Sequence, residues 1–331
     1  MKILIVADKK GWAYDNIAKY VQTNFASEHQ VTITYLEEIT KNGFRNPLKA
    51  ISARYNRCLK RISTRKVRFD VVIYLGFYFI DHSIDIPCKL TVVGIYTTGF
   101  PPAQSAVTRI EEFRQRYLDK ADAVIVGTKQ LVNEYSAFHD SVYFCNMGFD
   151  ENFWSSDSLT TKLSKDATSS AGKVFTIGWT GNPDRAFKGF HTIIEPAIEK
   201  LRIRYPQVRL KTQFSGSLTQ LRNFYSDVDV VVIASDADAG PSLFAEASLM
   251  GIPTVTTRVG WPEMVVEDGV NGFIVDREVG AFFEKISELI EQPKVLYSAA
   301  TRIRNDYIAK LGHRVLRDNW SVLFEHLERK L

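Results

Sequence analysis

Eleven short apolar runs, separated for the most part by segments of helical pattern, constrain the fold of this chain more than any other feature of its sequence. Alternation of strands and helices is typical of parallel sheets covered by helices on both faces. Residues 155–172 interrupt it with a segment rich in Ser and Thr, which is typical of a linker or exposed loop. We therefore predict an α/β chain with two Rossmann-like domains, at residues 1–154 and 173–310. A C-terminal helix at 311–331 is expected to pack back on the N-terminal domain.

The length of the chain agrees with two domains, since 331 residues with 45% apolar side chains exceed the size at which one core usually splits. Two such domains facing one another would form a central cleft, and ligands of open parallel sheets bind at the carboxyl ends of the strands. The predicted strands are Lys2–Ala7, Val31–Tyr35, Asp70–Leu75, Leu90–Ile95, Ala123–Val126 and Val142–Cys145 in the first domain, and Val174–Gly178, Val208–Thr212, Val228–Ala234, Thr254–Thr257 and Gly272–Val275 in the second.

Cysteine usage and hydropathy indicate a protein of a reducing compartment. Cys58, Cys88 and Cys145 lie far apart and form no C-x-x-C pair, which fits neither a disulfide framework nor a zinc site. The sequence has no apolar run long enough to span a membrane, and its first residues are interrupted by charge and lack a small-residue cleavage site. We therefore expect a cytoplasmic protein that begins with a strand.

Ten basic residues and no acidic residue lie between residues 41 and 68. Apolar side chains recur there at spacings of three and four, which favours a helix with an apolar stripe and a cationic remainder. An ordinary solvated helix and a helix on an anionic membrane surface are both compatible with this pattern. Nucleic acid is not an expected partner, because no recognition module accompanies the patch. If the segment binds a membrane, the protein is expected to lie peripherally on its inner face. The membrane patch would then consist of Arg54, Arg57, Lys60 and Arg61.

The loop after the first strand of the second domain, WTGNPDRAFKG, carries cationic side chains close to the start of a helix. A helix N-terminus already bears partial positive charge, so a lysine there is unfavourable unless an anion lies nearby. Taken alone, Lys188 and Arg185 are compatible both with a solvated edge and with a phosphate clamp.

Residues 235–253, SDADAGPSLFAEASLMGIP, allow two incompatible interpretations. Asp236 and Asp238 could hold a divalent metal at a strand end, or Asp238 could form a carboxylate pair with Glu246, which needs no ion. The Gly-Pro-Ser that follows favours a helix N-terminus whose free amides point at an anion. Glu246 then lies on a mostly apolar helix, where a lone carboxylate needs a partner. The expected anion-binding turn is Gly240, Pro241, Ser242 and Leu243.

Residues 174–276, with a weaker match over 121–153, resemble the retaining glycosyltransferases of the group 1 class, family 4, which have the GT-B fold. Asp238 and Glu246, separated by seven residues, are similar to a pair of family glutamates at that spacing. The segment GIPTVTTRVGWPEMVVEDGVNGFIVD resembles the family's G-x-P-V-V-A-T, glycine, P-E and D-G-x-N-G-x-L-V motifs. Asn146-Met-Gly-Phe-Asp150, followed by Phe153, is similar to the family's N-G-V-D-x-x-x-F.

The resemblance implies that the second domain binds a nucleotide sugar and that the first binds the acceptor, with Gly11 and Trp12 on the acceptor side. Glu246 would hydrogen-bond the donor ribose, and Asp238 would lie near the transferred sugar. Helix amides and Lys188 would stabilise the departing nucleotide diphosphate, so that no metal or other cofactor is expected. The catalytic residues implied are Asp238, Lys188, Tyr96 and Thr97.

Two positions depart from the family pattern. The family's arginine after Gly181 is replaced by Asn182, and Arg185 is the nearest candidate to supply that cation. The loop after the fourth strand of the first domain lacks the family's histidine, and Tyr96, Thr97 or Thr98 is expected to hydrogen-bond substrate in its place. The expected donor-binding set is Gly181, Asn182, Arg185, Lys188, Gly240, Pro241, Ser242, Leu243 and Glu246.

The function predicted from these features is transfer of a sugar, with retention of anomeric configuration, from a nucleotide-sugar donor to a glycan or lipid-linked acceptor of the cell envelope. Three alternatives stay open: a metal-dependent transferase that uses Asp236 and Asp238, a nucleotide-sugar epimerase, and a nucleotide-sugar-binding subunit without turnover. A nicotinamide or flavin cofactor is not expected, because the loop from Asp8 to Trp12 has a single glycine and lacks G-x-G-x-x-G.

Overall fold

The computed structural model describes residues 1–39, 68–83, 86–102, 105–155 and 174–331. The chain divides into two compact units: the first comprises Met1–Gly148 and Leu316–Leu331, and the second comprises Phe149–Val315. The expected membrane patch and residues 156–172 of the expected linker lie outside the described residues. Within the described ranges, no helix is long and apolar enough to cross a membrane.

The first unit is an α/β unit built on parallel strands. Its strands are β1 (Lys2–Ala7), β2 (Gln30–Tyr35), β3 (Phe69–Tyr74), β4 (Cys88–Ile95), β5 (Ala123–Val126) and β6 (Val142–Phe144), and its helices include α1 (Ala13–Asn24), α2 (Leu36–Ile39), α3 (Phe79–His82), α4 (Ile110–Phe113) and α5 (Lys129–Tyr135). The strand order is β2-β1-β3-β4-β5-β6. In β1 the side chains of residues 3–7 are all fully buried, because a parallel strand in the middle of such a sheet is covered on both faces.

The second unit has the same plan with five strands. They are β7 (Phe175–Thr180), β8 (Val208–Gln213), β9 (Val230–Ile233), β10 (Thr254–Thr256) and β11 (Phe273–Ile274), in the order β11-β10-β9-β7-β8. Its helices are α6 (Glu195–Arg204), α7 (Leu218–Tyr225), α8 (Ser242–Leu249), α9 (Gly260–Val265), α10 (Val279–Glu291) and α11 (Pro293–Leu311). Residues 230–233 of β9 are buried, as expected for a strand at the centre of a covered sheet.

All eleven predicted strands occur among the described residues, and each observed bound lies within two residues of its prediction. The predicted α/β class with two Rossmann-like sheets is therefore confirmed. The helix after the WTGNPDRAFKG loop starts as a π-helical turn at Phe190–Ile194 and continues as α6.

The second unit begins at Phe149, whereas the sequence suggested that the first domain continues to residue 154. Arg304 of α11 accounts for this difference. Its guanidinium donates to the carbonyl oxygen of Trp154 at 2.6 Å and to that of Glu151 at 2.7 Å. The Trp154 ring also packs edge-on against Tyr225, with the ring centroids 6.0 Å apart. Residues 149–154 are thus held by hydrogen bonds and ring packing against helices of the second unit.

Helix α12 (His313–Lys330) returns the chain to the first unit, which includes residues 316–331. The side chains on one stripe of the helix are buried, because they pack into the core of that unit. Trp320 Nε1 donates to the carbonyl oxygen of Asn146 at 2.8 Å, and the Phe324 ring lies edge-on to Phe25 at a centroid distance of 4.9 Å. The division falls five residues later than the predicted boundary at residue 311.

Candidate functional site

The strand order of the second sheet reverses between β7 and β9, and the candidate site lies at the carboxyl ends of these two strands. From β7 the chain passes to β8 on one side of the sheet and then to β9 on the other side. Open parallel sheets bind ligands where the order reverses in this way, outside the carboxyl ends of the strands. The loops that meet there are residues 181–189, after β7, and residues 234–241, after β9.

The first of these loops is packed tightly against the end of β9. Gly189 adopts φ +66°, in the left-handed region that favours glycine, and a Cβ there would lie 2.5 Å from the carbonyl oxygen of Ala234. A Cβ at Gly181 would lie 3.5 Å from Lys188 Cδ, so the two ends of the loop are close together. The Lys188-Gly189 dipeptide therefore holds the lysine close to the end of β9.

Lys188 and Asp238 form an ion pair between the two loops. Lys188 Nζ donates to Asp238 Oδ2 at 2.7 Å, and the two side chains are only 19% and 15% exposed. Asp238 Oδ1 accepts a hydrogen bond from the amide of Gly240 at 3.3 Å. Because both charges are largely shielded from water, each is costly without a partner of opposite sign. The sequence placed both residues in the site but did not predict that they pair.

Helix α8 begins at Ser242, shortly after Asp238 of this ion pair. Pro241 precedes its first residue, Ser242, and the first amides of a helix have no acceptor within it. Gly240 allows the turn to lie against α9, since a Cβ there would come within 2.8 Å of the Trp261 ring. The amides of Ser242 and Leu243 therefore belong to a helix N-terminus at the same edge as Lys188, which suits a bound anion.

Glu246 lies one turn further along α8 and is 7% exposed. The hydroxyl of Tyr225 donates to its Oε2 at 2.6 Å. Burial raises the pKa of Glu246 to about 7, and the hydrogen bond from Tyr225 opposes that rise. The sequence predicted that this carboxylate needs a partner; the partner is a tyrosine from α7, 21 residues earlier in the chain, which nothing in the local pattern identified.

Asp236 and Asp238 lie next to different cations in this structure. The Asp236 carboxylate is half exposed and lies 3.5 Å from Nη2 of Arg277, which follows β11. Arg277 Nε donates to the carbonyl oxygen of Ala234 at 2.9 Å, so this arginine also ties the end of β9 to the loop after β11. Each Asp of the D-x-D thus faces its own cation, and the described residues contain no cluster of three or more metal-ligating side chains.

Asn182, which stands where the family has an arginine, and Arg185, the candidate to supply that cation, both lie in the loop after β7. Asn182 Oδ1 accepts a hydrogen bond from the amide of Asp184 at 3.0 Å, so this side chain stabilises the turn itself. Arg185 is exposed. Within the described residues, the cation paired with Asp238 is therefore Lys188.

A cavity of about 710 Å³ adjoins the site at the carboxyl ends of the sheet. It shares Asp236 and Arg277 with the site, but Lys188, Asp238 and Glu246 do not line it. Its walls mix acidic and basic side chains from the loops after β10 and β11 and from α10. None of the expected donor-binding residues lines this cavity.

In the first unit, the strand order reverses between β1 and β3, and the predicted acceptor-side residues follow β1. The Gly11 amide donates to Asp15 Oδ2 at 2.6 Å, and Trp12 is 50% exposed. The Tyr96 hydroxyl donates to the carbonyl oxygen of Cys145 at 2.9 Å. Thr97 Oγ1 is buried and has no hydrogen-bond partner within the part of the chain that the structure describes.

Curated relatives match part of the chain. Residues 176–292 match the family described as Glycosyl transferases group 1. LpsE, a lipopolysaccharide core biosynthesis glycosyltransferase of Rhizobium meliloti, is 29% identical over 157 residues, which cover 40% of this chain and 42% of LpsE. A D-inositol 3-phosphate glycosyltransferase of Corynebacterium urealyticum is 23% identical over 214 residues, 53% of this chain and 50% of the relative. This chain thus spans about half, or less, of these relatives' length.

Solved structures match nearly the whole length of this chain. HepE of Anabaena, in complex with UDP and glucose, superposes with a TM-score of 0.69 at 16% identity and covers 98% of this chain and 99% of its own. Sucrose-phosphate synthase of Thermosynechococcus elongatus has a TM-score of 0.72 at 12% identity, covering 100% of both chains. At these identities the likeness establishes the fold, and it confirms the predicted GT-B class.

Proposed function

From a resemblance to the group 1 glycosyltransferases that the match at residues 176–292 confirms, we propose that this chain transfers a sugar from a nucleotide-sugar donor to a glycan or lipid-linked acceptor. The observation that carries the proposal is the placement of Lys188, Asp238 and the start of α8 together at the reversal point of the second sheet. LpsE, named for lipopolysaccharide core biosynthesis, and HepE, bound to UDP and glucose, support it.

The donor diphosphate is assigned to Lys188 and to the free amides of Ser242 and Leu243. As the bond between the sugar C1 and the diphosphate breaks, negative charge grows on the leaving oxygen. A cation and fixed amide dipoles in a shielded site stabilise that charge without having to reorient. In the retaining reaction that the resemblance implies, the acceptor oxygen bonds to C1 on the same face and its proton passes to the leaving phosphate. No nucleophile from the protein is needed.

Asp238 is assigned to the transferred sugar, and the ion pair gives it a second role. Before the donor binds, Asp238 holds Lys188 at 2.7 Å in a mostly shielded position. A diphosphate at the helix N-terminus would offer the lysine a second anion. Asp238 therefore keeps the cation extended toward the crevice, which reduces the conformational entropy lost when the donor binds.

No metal is assigned to the site, because Asp236 and Asp238 pair with Arg277 and Lys188. UDP is expected to bind with comparable affinity in EDTA and in excess magnesium, since a lysine and helix amides supply the counter-charge. Calorimetric titration under both conditions makes the comparison, with Asp236→Asn as the matched control that should bind like the wild type. Loss of binding both on chelation and in Asp236→Asn would restore the metal-dependent alternative.

Turnover separates a transferase from a nucleotide-sugar-binding subunit. UDP-glucose, the donor bound in another HepE complex, is the first probe. Incubated with the full chain, it is expected to release UDP slowly to water and faster once an acceptor is supplied, because Lys188 and the amides at the start of α8 can stabilise the departing diphosphate. Release is measured by coupled detection of UDP. Tight binding of several nucleotide sugars with no release of the nucleoside diphosphate under any condition would favour a binding subunit.

Attachment to an anionic membrane is proposed from the sequence of residues 41–68 alone. The chain is expected to cosediment with vesicles that contain anionic lipid at low salt and to be released as salt rises. Each basic residue near an anionic leaflet contributes about 1 kcal/mol, and salt screens that attraction. Changing Arg54, Arg57, Lys60 and Arg61 together to Gln should clearly weaken cosedimentation.

The control for this experiment changes four exposed basic residues of the second unit to Gln instead, namely Lys200, Arg202, Arg209 and Lys294. That variant carries the same net charge as the test variant and should sediment like the wild type. Equal loss in both variants would indicate non-specific charge attraction, and a soluble acceptor would then be the better proposal.

A further inference from the structure

Tyr225 connects the carboxylate of Glu246 to the end of β7. It is the last residue of α7 and is 1% exposed. Its hydroxyl donates to Glu246 Oε2 at 2.6 Å and also interacts with the side chain of Thr180, the last residue of β7. These three side chains, called the relay below, link strand β7, which leads into the Lys188 loop, to helix α8, which follows Asp238.

The relay uses one oxygen of the carboxylate. Within the described residues, the hydrogen-bond donor to the Glu246 side chain is Tyr225, and it engages Oε2. A carboxylate has two oxygens and can accept more than one hydrogen bond, so Oε1 keeps its capacity for a ligand. Because Glu246 is almost fully buried, a second donor from a ligand would compensate for the cost of its burial.

We propose that Tyr225 is a positioning residue for the donor, holding Glu246 by Oε2 so that Oε1 receives a ribose hydroxyl. This inference rests on the proposed function, with the donor ribose at Glu246 as the family resemblance implies. Tyr225 itself does not touch the donor in this arrangement. It acts by fixing the direction of the carboxylate and by favouring its ionised form.

The ionised form matters because a carboxylate accepts a hydroxyl proton more strongly than a neutral acid does. Burial raises the pKa of Glu246, and the hydrogen bond from Tyr225 lowers it again. Among the described residues, the buried Tyr307 of α11 also interacts electrostatically with Glu246. Removing the Tyr225 hydroxyl therefore leaves Glu246 protonated over a wider pH range as well as free to rotate.

The test is Tyr225→Phe in the full chain, with UDP and 2′,3′-dideoxy-UDP as probes. Calorimetry between pH 6 and 9 measures the affinity for each. For the wild type, affinity for UDP should rise as pH passes about 7, where Glu246 ionises. In Tyr225→Phe, affinity for UDP at pH 7 should fall about tenfold, the size of one lost charged hydrogen bond, and the rise should move to higher pH. The dideoxy nucleotide should bind both proteins equally.

Two tyrosines of the second unit provide matched controls. Tyr205 donates to Glu291 on the surface, so Tyr205→Phe removes the same kind of bond far from the site. Tyr307 is buried and its hydroxyl has no partner among the described residues, so Tyr307→Phe removes a hydroxyl near Glu246 without breaking the relay. Both variants should bind UDP like the wild type.

The possible results of this test distinguish a failure of the inference about Tyr225 from a failure of the proposed function. Wild-type affinity for UDP in Tyr225→Phe, with weakened binding in Glu246→Gln, would overturn the role of Tyr225 and leave the donor site in place. An equal loss for UDP and for the dideoxy nucleotide would also overturn it, because the effect would not pass through the ribose. A wild-type chain that binds no nucleoside diphosphate would overturn the proposed function itself. If Tyr225→Phe does not fold, Thr180→Val takes its place and should show a smaller loss in the same direction.

Discussion

Replacing Lys188 with methionine is expected to lower the rate of UDP release from UDP-glucose about 100-fold, the usual cost of removing one group that stabilises charge in a transition state. Methionine keeps the length and apolar stem of the lysine, so the change removes the cation with little loss of packing. Affinity for UDP should fall as well, because the same ammonium binds the diphosphate in the ground state. The measurements are coupled detection of UDP and calorimetric titration.

A double variant separates this role from the ion pair. Lys188→Met alone leaves Asp238 mostly shielded and unpaired, which should lower the thermal midpoint. Adding Asp238→Asn removes the orphan charge, so stability should recover while UDP release stays slow. Lys200→Met, on an exposed lysine of α6, is the control and should change neither quantity. Wild-type UDP affinity in the double variant would mean that Lys188 serves only to neutralise Asp238.

Glu246 is expected to make the folded protein about 3 kcal/mol less stable at pH 8 than at pH 4.5, relative to a variant with glutamine at that position. Burial raises its pKa from 4.5 to about 7, a difference of roughly 2.5 units, and each unit is worth about 1.4 kcal/mol. Between these two pH values the folded protein binds a proton that the unfolded chain has released. The stabilisation is therefore complete below pH 4.5 and is lost as pH rises through 7.

Urea unfolding of the wild type and of Glu246→Gln at both pH values measures this contribution. Glutamine still accepts the hydrogen bond from Tyr225 but does not ionise, so the difference between the two proteins isolates the titration of one group. Glu263→Gln, at an exposed position of α9, is the matched control and should follow the wild type. Equal pH dependence of the wild type and Glu246→Gln would mean that the carboxyl titrates as it does in the unfolded chain.

The strands were predictable from sequence because their signal is local. Runs such as residues 3–7 and 230–233 are apolar throughout, and a parallel strand covered on both faces needs such a run. The boundaries between units were not predictable in the same way. They depend on Arg304 and Trp320, each of which bonds to a carbonyl oxygen at least 150 residues away in the chain.

The candidate site was likewise predictable from the sequence only in part. Lys188, Asp238 and Glu246 were identified because they sit in turns next to strand ends and in a spaced pattern along the sequence. Their partners were missed for different reasons. The Lys188–Asp238 pair forms because Gly189 brings its loop against the end of β9, a contact that no local pattern records. Tyr225 lies at the end of an amphipathic helix, where its position predicts only burial.

The first unit is assembled from the two ends of the described chain, because α12 supplies part of its core. During synthesis on the ribosome, residues 1–148 emerge before the whole of the second unit. Their core is complete only when Trp320 and Phe324 have been made, because these side chains pack against Asn146 and Phe25. Domains that are continuous in sequence complete their cores in the order of translation. Here the order is reversed, so the second unit can finish folding while the first unit still exposes apolar surface. A nascent chain halted before residue 316 should be the species that chaperones retain.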